Sequence, residues 1–147
     1  MTSSPQHPVQ ESLVVGEKRI GLGEPTFFVA EEGQANNGDL AVAKKMIHIA
    51  ASAGADAIEF QLALADDLYI RNHPGHGVYL KREYVREQLV ELFAYANECG
   101  ITAYASPFSS RLVKVLTDVG CPLFNVNSSD LNNPDMLDAV SESGRPF

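Results

Sequence analysis

The sequence has only two cysteines, few basic residues and no long apolar run, and each shortage argues against a class of protein. Cys99 and Cys121 each follow a predicted helix at a spacing that fits no metal or redox motif, so both are expected to be buried, reduced thiols. No stretch is apolar enough to cross a membrane, and the polar opening MTSSPQHPVQ lacks the features of a secretory signal. These features predict a cytoplasmic protein.

Basic residues are outnumbered, with 11 Lys and Arg against 19 Asp and Glu and a formal net charge of −8. Nucleic acids and anionic membranes carry negative charge themselves, so neither is expected as the main partner. An anionic substrate would need a local positive site. The 147 residues are 45% hydrophobic, which is enough for one globular domain. Residues 1–12 are expected to form a flexible N-terminus, and residues 13–147 to form the folded domain.

A strand, a loop and a helix recur four times along the chain. After a small hairpin at residues 13–21, apolar strands are predicted near 27–30, 56–61, 101–106 and 123–127, with a helix after each. Such units form parallel sheets. A closed barrel needs eight units and about 250 residues, so the predicted fold is α/β, the N-terminal half of a TIM (β/α)8 barrel. The sequence is therefore expected to be part of a larger barrel, or a half completed by association.

Polar residues collect at the predicted carboxyl ends of these strands, where parallel folds build their sites. Glu31 and Glu32 end the first strand, before a loop rich in amides and glycines. Glu59 and Gln61 are expected to point to the same side of the second strand, because strand side chains alternate.

A long loop follows at residues 62–80 and contains His73 and His76. Pro74 and Gly75 lie between the two histidines and argue against a shared metal ion, so both imidazoles are expected to be exposed. Loops of this length usually have a function, and this one is expected to help select a substrate.

Four motifs occur in an order and spacing that resemble the sialic acid synthases: AEEGQANNGDLAVAKKMI at 30–47, AGADAIEFQ at 53–61, ASPFS at 105–109 and GCPLFNVNSSDLNNPDML at 120–137. That family condenses phosphoenolpyruvate with an N-acyl amino sugar in an aldol-type reaction. The resemblance implies a role in sialic acid biosynthesis, with these two small molecules as the expected partners. The complete protein would be a transferase that forms carbon–carbon bonds.

The resemblance also implies roles for individual residues. Glu31 and Asp130 would act as catalytic residues near the acceptor sugar, while Ser106 and Ser128 would offer hydroxyl groups near phosphoenolpyruvate. The residues alone leave other interpretations open: Glu31 as a solvated carboxylate, and Asp130 with Asn133 as a helix cap. The full set of implied substrate-binding residues is Asn37, Glu59, Gln61, Ser106, Asn125 and Ser128.

Two of these positions depart from the family. Glu59 and Asn125 stand where the family has lysines that hold the phosphate and carboxylate of phosphoenolpyruvate, and each such ionic contact is worth about 2–5 kcal/mol. Glu59 could instead pair with Lys44, Lys45 or another cation and serve only stability. The departures leave two alternatives open. The protein could be a divergent member with another donor or a non-catalytic sugar-binding or regulatory role, or an inactive fragment that needs a partner half.

The resemblance implies a divalent metal, Mn or Mg, in the complete enzyme. The family's metal-binding histidines come from strands beyond residue 147, so neither a metal ligand nor a cofactor is expected within this chain. A homodimer is expected for the full-length protein.

Overall fold

A computed structural model describes residues 12–147, so most of the predicted flexible terminus lies outside the described residues. A two-stranded hairpin precedes a three-stranded parallel sheet whose connections are helical. In chain order the elements are β1 (Ser12–Val15), β2 (Lys18–Gly21), β3 (Val29–Gly33), α1 (Leu40–Ser52), β4 (Ala57–Leu62), α2 (Ala65–Leu68), α3 (Pro74–Leu80), α4 (Arg86–Glu98), β5 (Thr102–Pro107), α5 (Ser110–Asp118), a 3-10 turn (Ser128–Asp130) and α6 (Pro134–Glu142).

The parallel strands lie in the order β3-β4-β5. Ala30 pairs with Ile58, and Ile58 with Ala103, so the three strands are in register through their centre. This is the arrangement of the N-terminal half of a TIM barrel, as the strand and helix pattern predicts. Within residues 12–147 no helix is long and apolar enough to cross a membrane.

The predicted fourth strand at 123–127 is not a regular strand. It adds one parallel bridge between Phe124 and Ala105, and the Asn125 N–H donates to the Ala105 carbonyl at 3.0 Å. A ladder needs such bonds at successive positions. Here the Phe124 N–H donates to the Pro146 carbonyl, and the chain enters the 3-10 turn at Ser128, so pairing ends after one bridge.

Helices cover one face of the sheet and form the core with it. Phe60 of β4 and Phe124 are almost fully buried against Ile47 of α1, Leu92 of α4 and Leu116 of α5. Burying a side chain of this size stabilises the fold by about 1.5–3 kcal/mol. Because Ile58 and Phe60 of β4 and Ala103 and Ala105 of β5 pack into this core, Glu59, Gln61, Tyr104 and Ser106, which alternate with them, point to the opposite face of the sheet.

The hairpin lies at the amino-terminal end of the sheet, as predicted. Lys18 of β2 places its Nζ 3.1 Å from Oδ1 of Asp56, the residue before β4. Asp56 Oδ2 accepts a 2.8 Å hydrogen bond from the Phe28 N–H, and this bond with the nearby Lys18 lowers the pKa of the Asp56 carboxyl. The predicted site therefore lies at the other end of the strands.

Three boundaries differ from the prediction. The first strand is shifted towards Gly33, and Phe28 is 64% exposed because it lies just before the strand. The loop at 62–80 contains α2 and α3; His73 Nδ1 accepts the Gly75 N–H at 3.0 Å and so caps α3. The helix that follows this loop, α4, begins at Arg86 rather than directly after residue 80.

Candidate functional site

Polar side chains line the face of the sheet that the helices leave uncovered. The register aligns Glu31 with Glu59 and Glu59 with Tyr104, and it aligns Gln61 with Ser106. Aligned residues of parallel strands point to the same side, which brings these groups together. We call this surface the polar face; it consists of Glu31, Glu59, Gln61, Tyr104, Ser106 and Asn125. The prediction that Glu59 and Gln61 point the same way is confirmed.

Three donors converge on the carboxylate of Glu59. Tyr104 donates its hydroxyl to Oε2 at 2.9 Å, Asn125 donates its amide to Oε1 at 3.1 Å, and Ser106 donates its hydroxyl to Oε1. The Asn125 amide also donates to Ser106 Oγ at 2.8 Å. Hydrogen bonds to an ionised group are roughly twice as strong as neutral ones. We call these four residues the Glu59 cluster.

Tyr104 is the member of the cluster that the motifs did not indicate. Burial, the hydrogen bond to Glu59 and the charges of Glu59 and Glu31 all raise the pKa of Tyr104, which keeps its hydroxyl protonated and able to donate. The alternation of Thr102, Tyr104 and Ser106 along β5 is the signal that could have revealed it, since it repeats the alternation of Glu59 and Gln61.

The suggested ion pair between Glu59 and Lys44 or Lys45 is wrong. Lys44 bonds to Glu91 of α4 at 2.5 Å, on the helical layer behind the sheet. Among residues 12–147, Glu59 forms no ion pair with a lysine or arginine. Its negative charge is stabilised by neutral donors alone.

Glu31 joins the polar face through Gln61, whose Nε2 donates to Glu31 Oε1 at 3.0 Å. The two side chains are close because Glu31 aligns with Glu59, and Gln61 lies two residues further along β4 on the same side. The register shifts just after Glu31, since Gly33 pairs with Phe60. Successive residues of a strand point to opposite sides, so Glu31 stays exposed on the polar face while Glu32 turns into the protein.

Glu32 anchors the loop that follows β3. It is only 6% exposed, and its two oxygens accept the Asn36 N–H at 2.6 Å and the Asn36 amide at 2.8 Å. Asn36 in turn accepts hydrogen bonds from the Gly38 N–H and the Tyr84 hydroxyl. Burial raises the pKa of Glu32, and the Asn36 hydrogen bonds partly oppose that rise. This buried network was not predicted, since the sequence indicated only that the two adjacent glutamates end the first strand.

Three predicted site residues lie outside the hydrogen-bonded part of the polar face. Asn37 is exposed at the tip of the β3–α1 loop, with φ of 53° and its amide bonded to the Ala35 carbonyl at 3.1 Å. Ser128 is exposed in the 3-10 turn. Asp130 accepts the Asn133 amide at 3.0 Å, and Asn133 caps α6 through the Met136 N–H. Asp130 thus supports a helix cap, and its predicted role at a sugar remains a prediction.

The described histidines and acidic residues are not grouped as a divalent metal ion requires. No group of three His, Cys, Asp or Glu residues between positions 12 and 147 could hold a metal ion. His76 instead lies 2.8 Å from Asp66, and its bond together with that of Arg71 lowers the pKa of Asp66. The metal implied by the resemblance therefore does not fit the residues described between positions 12 and 147.

Comparisons with known proteins give this geometry a context. The NeuB family model matches residues 46–147. Human N-acetylneuraminate-9-phosphate synthase is 34% identical over 95% of this chain and 42% of its own length, and the N,N'-diacetyllegionaminic acid synthase of Campylobacter jejuni is 30% identical over 80% and 39%. A solved N-acetylneuraminic acid (sialic acid) synthetase from Leptospira borgpetersenii superposes with a TM-score of 0.84 at 28% identity, over 91% of this chain and 47% of that one.

The parallel half-barrel is similar to that of the sialic acid synthetase, an α/β barrel protein. The chain is a member of the NeuB family. The resemblance to sialic acid synthases is therefore confirmed. The chain spans about two fifths of the length of the curated relatives that it matches.

Proposed function

We propose that the chain acts in carbohydrate biosynthesis as part of a sialic-acid-synthase-like enzyme, and that its polar face binds an N-acyl amino sugar. The observation that carries this proposal is the Glu31–Gln61 pair, which holds a carboxylate and an amide at the carboxyl ends of neighbouring strands in a NeuB family fold. Such groups are suited to the hydroxyl and amide groups of an amino sugar. Several relatives are named as synthases of sugar acids, which supports the same class of reaction.

The proposed reaction joins phosphoenolpyruvate to the open-chain aldehyde of the sugar. The enol carbon of the donor forms a bond to the aldehyde carbon, water adds to the donor's second carbon, and phosphate leaves. Glu31 would take or give a proton at the acceptor, because it is exposed and keeps one oxygen beyond its bond to Gln61. The segment at 123–127, which makes one bridge to β5, is called the bridging segment. Asp130 and Ser128 lie in the turn after it, from which they would contact the substrates.

The test is a condensation assay with the full chain, phosphoenolpyruvate and N-acetylmannosamine. Product is detected as a sugar acid by mass spectrometry together with released phosphate. The change Glu31→Gln is expected to lower kcat by about 100-fold or more, since general acid–base groups contribute factors of that order. Glu24→Gln is the matched control, because Glu24 pairs with Arg19 on the hairpin at the opposite end of the strands. Equal rates for both variants would contradict the role of Glu31.

A second candidate is favoured by the Glu59 cluster: a divergent protein that binds the sugar but uses another donor or none. A phosphate about 4 Å from the Glu59 carboxylate would be repelled by about 4 kcal/mol per unit charge at a typical effective dielectric constant. No lysine or arginine pairs with Glu59 in the described part of the chain to offset this. Fold alone does not decide between the candidates.

Titration calorimetry separates the two candidates. Sugar binding without phosphoenolpyruvate binding supports the second, whereas tight binding of phosphoenolpyruvate by the unmodified chain removes it. The double change Glu59→Lys with Asn125→Lys is expected to create affinity for phosphoenolpyruvate, because two ammonium groups would then face the donor's anionic groups. If the double variant folds and still does not bind phosphoenolpyruvate, the absence of the two lysines does not explain why the unmodified chain fails to bind it.

A further inference from the structure

We propose that the side-chain donors of Tyr104, Ser106 and Asn125 form an oxyanion-binding site, here called the cradle, and that the carboxylate of Glu59 occupies it. This part of the polar face therefore excludes small carboxylate and phosphate ligands. The inference deepens the second candidate function, on which it rests for the choice of excluded donor. Its geometric basis is independent of any substrate and lies in the contacts of the Glu59 cluster.

The donors form a cradle because they come from separate segments and meet at one point. Tyr104 and Ser106 are two residues apart on β5, and Asn125 comes from the bridging segment beside it. Their hydroxyl and amide groups surround both oxygens of Glu59 with the bonds that an external carboxylate or phosphate would take. A protein without a carboxylate at position 59 would offer the same three donors to an oxyanion from solution.

Two of the three donors to Glu59 belong to buried residues. Ser106 is 0% exposed and Tyr104 is 6% exposed, so their hydroxyl groups depend on Glu59 as an acceptor. Buried donors without an acceptor are destabilising, which ties the cluster to the stability of the fold. Glu59 and Asn125 themselves remain partly or fully accessible. A small anion could therefore reach the cradle from the open side once the carboxylate is removed.

The experiment is chemical rescue. In the full chain, Glu59→Ala is expected to lower the unfolding temperature, and formate is expected to restore it in a saturable manner that chloride at equal ionic strength does not reproduce. Glu59→Gln is the matched control, because its amide fills the same space and should show no formate-specific rescue. The triple combination of Glu59→Ala, Tyr104→Phe and Asn125→Ala should lose the rescue as well, since only one donor remains.

Ligand binding gives the second measurement. Phosphoenolpyruvate and inorganic phosphate are expected to bind Glu59→Ala at least about tenfold more tightly than the unmodified chain. Rescue that is equal in formate and chloride, or phosphoenolpyruvate binding to the unmodified chain that weakens in Glu59→Ala, would overturn the proposal. If Glu59→Ala does not fold, refolding is compared in the two salts: recovery in formate alone supports the proposal, and equal recovery or none contradicts it. None of these measurements requires catalytic turnover. A negative result in the condensation assay therefore does not affect the test of the Glu59 proposal.

Discussion

Glu31 and Glu32 are neighbours in the chain and have opposite surroundings. Glu31 is exposed on the polar face, whereas Glu32 is 6% exposed and held by both hydrogen-bonding groups of Asn36. Successive residues of a strand point to opposite sides of the sheet, so Glu31 lies on the polar face and Glu32 points into the protein. The two carboxyl groups therefore have separate surroundings although they are neighbours in the chain.

Glu32 gives the molecule a specific dependence on pH. Its folded pKa is raised above the ordinary 4.5, so the folded state binds more protons than the unfolded state between these two values. Its contribution to stability is fully present below pH 4.5 and is lost as the pH rises through the raised folded pKa. A neutral glutamine carries no such dependence. The stability advantage of the unmodified chain over Glu32→Gln is therefore expected to shrink with rising pH.

Urea unfolding of both proteins from about pH 4 to about pH 8 measures this difference. Glu31→Gln is the matched control, because Glu31 is the exposed neighbour and lies outside the buried network. A difference between the unmodified chain and Glu32→Gln that stays constant or grows over this range would show that burial does not control Glu32.

The contents of the polar face could be predicted only in part. Alternation along β4 was enough to place Glu59 and Gln61 together, because the period of a strand is fixed by its backbone. The partners of Glu59 were not predictable in this way. They depend on which residues of β5 and the bridging segment lie opposite, and that register is decided by tertiary packing. Lys44 was a plausible partner in the sequence but lies behind the sheet on α1.

The loop between β3 and α1 packs closely against the backbone of Lys81 and Arg82. Gly38 has φ of 83°, and a Cβ there would lie 2.5 Å from the Lys81 carbonyl oxygen and 2.7 Å from the Arg82 Cα. Only glycine fits, because the neighbouring atoms belong to the backbone and cannot rotate away. The loop of the first strand is thereby packed against the segment that leads into α4.

Gly38→Ala is expected to destabilise the protein by about 1–3 kcal/mol more than Gly33→Ala, measured by chemical denaturation. Gly33 has a similar φ of 65° but nothing within 4 Å of its Cβ position, so it controls for the strain of the left-handed backbone. The difference between the two variants therefore measures the stability cost of the steric contact at Gly38 alone. Equal losses of stability would show that the loop can move away from Lys81 at little cost.

Capping side chains mark the starts of three helices. Asp39 accepts the N–H groups of Ala41 and Val42, Ser109 accepts that of Leu112, and Asn133 accepts that of Met136. These residue types favour the N-cap in any sequence. The short helices α2 and α3 were missed, since they carry too few residues for a hydrophobic period and depend on partners from elsewhere, such as Glu83 at the Ala65 N–H.

Across the whole molecule, one edge of the sheet is open. β3 pairs with β4 on one side, and residues 12–147 supply no strand on the other. Val29 of this strand is 42% exposed, and Phe28 beside it is 64% exposed. An edge that combines free backbone groups with apolar side chains is a site for pairing between chains.

The chain is therefore expected to self-associate as its concentration rises, measured by light scattering. Val29→Lys should reduce this association, because a charge on an edge strand opposes pairing. Val90→Lys is the matched control, since Val90 is 47% exposed on α4, which packs on the helical side of the sheet. A monodisperse monomer at every concentration, or equal suppression by both changes, would argue against association through the β3 edge.

Because residues on a strand alternate between two sides, the polar face can change without altering the core. Glu59 lies between Ile58 and Phe60, and both of those neighbours point to the helices and are almost fully buried. A substitution at position 59 thus leaves the apolar side chains between sheet and helices unchanged, and its cost falls on the buried hydroxyl groups of Tyr104 and Ser106, which lose their acceptor. Under the proposed exclusion of anions by Glu59, a single codon in this strand would alter ligand preference at a cost in stability that is confined to one polar cluster.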